Sequence, residues 1–156
     1  MSKSGVLGHF GTKESLQLAT LEAALDRFRE EVWAAASEAE PGLPRLLALC
    51  EAWISYLERG VFPGGCYLTA AAAEFDGRDG PVREAIAAAL ALWYRVVEAE
   101  VRTAVEAGDL PADTDPHAVA LQLNAFAMAT NQVLQLLGDR EAAKTARSLM
   151  RGVLAR

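Results

Sequence analysis

Two cysteines and two histidines are all that this chain of 156 residues offers for thiol, imidazole or soft-metal chemistry. Cys50 and Cys66 are too few for a disulfide framework and lack the paired spacing that closes around zinc. They read as reduced thiols packed in a core. His9 and His117 lie far apart, and no Glu-x-x-His pair exists to build a di-iron bundle. No strained nucleophile turn accompanies any serine. No catalytic residue, metal or cofactor is therefore expected, and the chain does not read as an enzyme. Runs of β-branched residues and period-two alternation are also missing, which argues against sheet. No apolar run opens the chain as a secretory signal would. His117 to Leu137 contains no charged side chain, yet it carries Gln122, Asn124, Asn131, Gln132 and Gln135. That many amides in lipid would be expensive, so no membrane span is expected and the protein reads as cytoplasmic.

What is present is alanine, leucine and a regular helical period. The length fits one domain with a self-sufficient core. The formal charge of −6 makes the whole chain a poor match for nucleic acid. Residues 1–14 hold Lys3 and Lys13 against Glu14 alone, so any nucleic-acid contact belongs to that edge.

Punctuation cuts the rest into helices. Ser2 to Gly8 can form a short one, ended by Gly11-Thr12. Thr12 then caps a long helix to about Ala39, with Leu18, Leu21, Leu25, Phe28 and Val32 at helical spacing. Pro44 opens a helix to Gly60, and Cys66 to Phe75 reads as a short alanine-rich one. Pro81 begins the longest pattern (Val82, Ile86, Leu90, Trp93, Val97, Val101, Val105), capped by Gly108. Asp115-Pro116 starts a helix to Leu137, and a last one follows Gly138-Asp139. The expected fold is all-α.

The helix after Pro116 lacks the charged face that a surface helix turns to water. One stripe holds Val119, Leu123, Phe126, Thr130, Val133 and Leu137; another holds Asn124, Met128, Asn131 and Gln135. The last helix offers Ala142, Ala146, Leu149 and Val153. A homodimer through Asp115–Leu137 and Arg140–Ala155, as an isologous four-helix bundle, is the expectation. Leu123, Phe126, Thr130, Val133, Leu137, Ala142, Ala146, Leu149 and Val153 are its expected seam. A central helix buried in a monomer is the competing reading.

The opening stretch SKSGVLGHFGTKESLQLA resembles the end of the DNA-binding domain of TetR-family (tetracycline-repressor-like) regulators. Ser4 to Gly8 match a recognition helix, His9-Phe10 an aromatic pair, and Lys13-Glu14 with Leu16 the start of a connecting helix. Pro63-Gly64-Gly65-Cys66-Tyr67-Leu68, Ala73-Glu74-Phe75-Asp76 and Gly80-Pro81-Val82-Arg83 resemble the ligand-binding half of one branch of that family. The resemblance implies a TetR-like helical bundle with a DNA-binding remnant over residues 1–16 and a sensing and dimerisation body over 17–156. It implies a repressor that binds operator DNA as a homodimer and is released by a small molecule. Ser2, Lys3, Ser4, His9 and Lys13 become candidate DNA contacts, Lys13 by clamping a phosphate at a helix N-terminus. Gly8 stands where the family usually has tyrosine. The family's first two helices have no counterpart before Met1, so these residues alone are expected to bind DNA weakly or not at all.

The same resemblance implies a pocket among the middle helices. Trp53, Tyr56, Cys66, Phe75, Trp93, Asn124 and Met128 are the candidate lining, apolar walls with a few polar groups. Trp53 and Trp93 also fall on regular apolar stripes, where core is the ordinary role, and Asn124 and Asn131 can equally be satisfied across a dimer interface. No cationic cluster is evident, so an uncharged or hydrophobic effector is expected. The alternative function is a headless helical dimer acting as an adaptor that pairs with full-length relatives.

Overall fold

The computed structural model describes residues 10–155, and within them every regular element is helical. Helix α1 (Lys13–Phe28) begins where Thr12 Oγ1 accepts the Ser15 backbone N–H at 3.0 Å. It continues without a break through a π-helical turn, Arg29–Trp33, into a last α-turn, Ala34–Ser37. Then follow α2 (Leu43–Arg59), α3 (Tyr67–Phe75), α4 (Pro81–Glu106), α5 (Pro116–Gln132, with a π-helical continuation Val133–Leu137) and α6 (Glu141–Leu154). The starts and stops are local chemistry. Asp115 Oδ1 accepts the His117 N–H at 2.9 Å ahead of Pro116. Gly60 and Gly138 close α2 and the α5 continuation in the left-handed conformation. Because α1 is continuous, a division of the chain at residue 16 falls inside it, and one helix serves both parts.

Two apolar clusters hold these helices. The larger packs α2, the far half of α4, α5 and α6 around Val32, Leu46, Ile54, Tyr56, Leu57, Val101 and Met150. The smaller joins α1, α3 and the start of α4 through Leu21, Ala71, Val82 and Ile86. The long stripe on α4 thus contributes Val82 and Ile86 to one cluster and Val97 and Val101 to the other.

A buried acid clasps the turn between α1 and α2 onto α4. Glu100 is 8% exposed and accepts the Gly42 backbone N–H at 2.8 Å and the Arg45 guanidinium at 3.2 Å. Arg45 also donates to the Ala39 carbonyl, from Nε at 3.1 Å and Nη2 at 2.9 Å. The pair is neutralised and hydrogen-bonded, which is the condition for burying charge. On the other flank of α2, Arg147 of α6 donates to Glu51 at 2.8 Å and Glu58 at 3.0 Å.

Candidate ligand-binding site

Between the two apolar clusters the packing fails, leaving a cavity of about 730 Å³. The reason is legible in the side chains that meet there. α4 presents Ala85, Ala88 and Ala89, α3 presents Ala72, and α1 presents Ala24, where a closed core would need larger groups. A cavity of this size suits a drug-sized molecule, whose pockets run to roughly 300–1,000 Å³.

An aromatic wall bounds it. The Phe28 ring stands edge-to-face with Trp93 at 5.2 Å, Tyr56 at 5.5 Å and Trp53 at 6.2 Å, and Trp53 meets Trp93 at 4.8 Å. Edge-to-face geometry stiffens such a cluster beyond what burial alone gives. Trp33 and Tyr67 complete the aromatic lining, so all three tryptophans of the chain face this one space. The indole Nε1–H of Trp53 is buried with no acceptor among the described residues, which leaves a donor in the wall unsatisfied. Burial pushes the Tyr56 phenol well above its ordinary pKa, with smaller contributions from Cys66 and Glu31, so it stays neutral.

α1 turns its C-terminal third into this wall through the π-helical segment. The Ala34 N–H bonds to the Arg29 carbonyl, a five-residue step, and Phe28, Arg29 and Trp33 all reach the cavity. π-Helical turns of this kind recur at functional sites, where one extra residue re-aims its neighbours.

The floor of the site is fastened to α5 by Asn131. Its Oδ1 accepts the backbone N–H of Cys66 at 2.9 Å, and both residues are buried. Gly65 makes room for this contact: its φ is +84°, and a Cβ there would lie 2.0 Å from Asn131 Oδ1. Two turns earlier on the helix, Asn124 donates to Met128 Sδ at 3.1 Å.

Of the residues expected to line a pocket, the structure brings together Trp53, Tyr56, Cys66, Trp93, Asn124 and Met128. Phe75 is not among them. It packs with the smaller cluster at the end of α3, with the Arg78 guanidinium 5.0 Å above its ring. The alanines escaped the sequence reading, as did Arg29 and Arg95, which both line the cavity. These two arginines, remote along the chain, are the charged side chains of the lining.

The expected dimer seam also needs correction. Leu123, Thr130, Ala146 and Val153 are buried within this chain, because α5 is flanked by its own α2, α4 and α6. Phe126, Val133 and Ala142 are half-buried. Only Leu137 and Leu149 of the expected seam are exposed, at 75% and 47%. The outward stripe of α5 is Leu121, Ala125, Met128, Ala129, Gln132 and Leu136, and beside it α6 exposes Thr145, Ser148, Leu149 and Gly152. Of the expected DNA contacts, Lys13 is exposed at the first position of α1, and Ser2, Lys3, Ser4 and His9 lie outside the described residues. Among the described residues no His, Cys, Asp or Glu cluster can hold a metal, and no helix is long and apolar enough to cross a membrane.

The described residues thus form an all-helical body with a large aromatic cavity and a long helix, α1, that runs into its wall. Residues 42–150 match the family profile of the tetracyclin repressor-like C-terminal domain, and the chain belongs to the TetR family. Solved structures share the fold. A TetR transcriptional regulator from Chloroflexus aurantiacus superposes with a TM-score of 0.88 at 22% identity, over 97% of this chain and 76% of its own. A TetR-family regulator from Streptomyces coelicolor gives 0.78 at 23% identity, over 99% and 77%. AibR, solved with isovaleryl coenzyme A and operator DNA, gives 0.77 at 21% identity, over 97% and 80%. No match is found among curated protein sequences.

Proposed function

We propose that this protein is a ligand-responsive transcriptional regulator, a repressor that works as a homodimer on operator DNA and is released when an effector fills the cavity. The observation that carries the reading is the course of α1. One continuous helix has Lys13 at its exposed N-terminus and Ala24, Leu25, Phe28 and Arg29 in the cavity wall. An occupant that pushes on Phe28 or Trp33 therefore pushes on the element that carries the DNA-facing edge. A shift of this one helix between two positions, biased from the cavity end, is the coupling the proposal requires. AibR, with a bound thioester and operator DNA in one complex, is a relative of the same fold in which both partners occur. The effector here is a small molecule with a mainly apolar body, because the lining is mainly alanine, leucine and aromatic. The outward faces of α5 and α6 form the dimer interface, and the protein works in the cytoplasm.

The test is chromatin immunoprecipitation of a tagged chromosomal copy, followed by gel-shift of the enriched fragment with and without effector. Discrete enriched sites, bound in vitro and released by a cavity ligand, support the regulator. No enriched site, with a full-length family member co-purifying instead, refutes it in favour of the adaptor reading.

A further inference from the structure

Charge around the cavity runs against the charge of the protein. The chain carries 21 acidic and 15 basic side chains. Among the residues lining the cavity there is no aspartate or glutamate at all, and the charged ones are Arg29 and Arg95. The Phe28 and Trp93 rings meet 5.2 Å apart in the cavity wall; Arg29 directly follows the first in the chain, and Arg95 lies two residues beyond the second on α4. Both are exposed at the rim of the aromatic wall. Arg29 shares its guanidinium with Asp26, which is outside the lining. No carboxylate among the described residues pairs with Arg95. Most of the other arginines in the structure are matched with an acid, so this one is free to meet a charge brought from outside.

We infer that the effector is an apolar monoanion: a carboxylic acid whose hydrocarbon or aromatic body lies against Phe28, Trp53 and Trp93 and whose head group meets Arg95 and Arg29. The inference rests on the cavity being the effector site and adds the chemistry of its occupant. An uncharged body alone would gain nothing from either arginine, and a cation would meet two like charges. A carboxylate matches the fork of guanidinium donors and forms the stronger, charge-assisted class of hydrogen bond. Arg29 and Trp33, the first and last residues of the π-helical segment, both line the cavity.

The cavity supplies its own reporter, because every tryptophan of the protein lines it. Decanoate, decanol and decyltrimethylammonium would be titrated against the intact protein while following tryptophan fluorescence, with Arg95→Gln and Arg29→Gln/Arg95→Gln alongside. Circular dichroism and melting confirm that each variant folds. Decanoate should bind the double variant about tenfold more weakly than the parent and Arg95→Gln about threefold more weakly, the effect of partly exposed charge-assisted contacts. Decanol should change by less than about twofold, since its hydroxyl gains little from a charged fork. The ammonium should bind the parent worst and improve in the double variant. Decanol and decanoate weakened equally, or decanoate unaffected, overturns the anionic effector while leaving the cavity a ligand site. Failure of all three probes to perturb the tryptophans overturns the ligand-site reading and the anion with it.

Discussion

Replacing Gly65 by alanine tests whether the cavity floor is fastened as the geometry requires. Gly65 has φ of +84°, and an added Cβ would sit 2.0 Å from Asn131 Oδ1 and 2.9 Å from its Cγ. Holding a non-glycine residue in this region costs roughly 1–2 kcal/mol. The collision is worse, because Asn131 is buried and its Oδ1 is the acceptor for the Cys66 N–H at 2.9 Å. Moving that side chain aside leaves a buried donor unpaired, at about 1–3 kcal/mol. The third neighbour, Gln135 Cγ at 3.0 Å, belongs to a flexible exposed side chain and can yield. The expected loss is about 2–5 kcal/mol, or roughly 5–15 °C in Tm for a domain of this size. Asn131→Ala removes acceptor and obstacle together. In that background Gly65→Ala should cost only the backbone strain, so the double variant should be more stable than the sum of the singles by about 1–3 kcal/mol. Urea unfolding at one fixed protein concentration measures all four corners of the cycle, since assembly would otherwise shift the apparent values. Strict additivity would refute the account.

Other parts of the structure make separate predictions. Glu100→Ala leaves the buried Gly42 N–H and Arg45 without their acceptor, and should lower urea stability by about 2–4 kcal/mol, while an unchanged midpoint would show that the clasp is idle. Cys50 is pushed up to about 12, by burial and to a lesser extent by Glu51. Its thiol should therefore resist iodoacetamide at pH 8 at a rate set by unfolding, and rapid labelling of the native protein would contradict its burial. The Glu98 carboxyl is held below its ordinary range, first by the His117 hydrogen bond at 3.0 Å and then by Arg102. A depressed carboxylate stabilises the fold above its unfolded pKa, about 4.3, and loses that contribution as pH falls through the lower folded value. His117→Ala should therefore make stability fall less on acidification below about pH 4.3. An identical acid limb in parent and variant would refute the contact.

What the sequence made readable, and what it hid, follows from how local each signal is. Helix ends were readable because Thr12, Asp115-Pro116, Gly60 and Gly138 act within a turn of themselves. The aromatic wall was only half readable. Trp53 and Trp93 lie on regular apolar stripes, and a tryptophan facing a cavity has the same periodicity as one facing a core. The distinguishing signal was the opposite surface, the alanines of α3 and α4, which only matter once the helices are packed. Phe75 was drawn into the expected lining by its place at the end of α3, where it instead closes the smaller cluster. Arg29 and Arg95 had no part in the sequence expectations, since nothing in the sequence tells which residues of α1 and α4 line one cavity.

The phase of α5 is the instructive error, and it can be tested directly. That helix is apolar or amide-bearing on nearly every side, so periodicity marks stripes without saying which one its own chain covers. The structure covers the stripe of Leu123 and Thr130 and leaves Leu121, Met128 and Leu136 outside, with Leu136 at 76% exposure. On α6 the same shift separates Ala146, 3% exposed, from Leu149 at 47%. A glutamate at these two positions must therefore fail in different ways. Ala146→Glu places a charge inside the larger apolar cluster with no partner, and should abolish folding or solubility. Leu136→Glu/Leu149→Glu leaves that cluster intact and should keep the helical circular dichroism, while charging the face proposed for the dimer interface. On the proposed homodimer, light scattering should report two 16.7 kDa chains for the parent and one for this variant. A folded double variant that remains dimeric would mean that the copies do not associate through this face of α5 and α6.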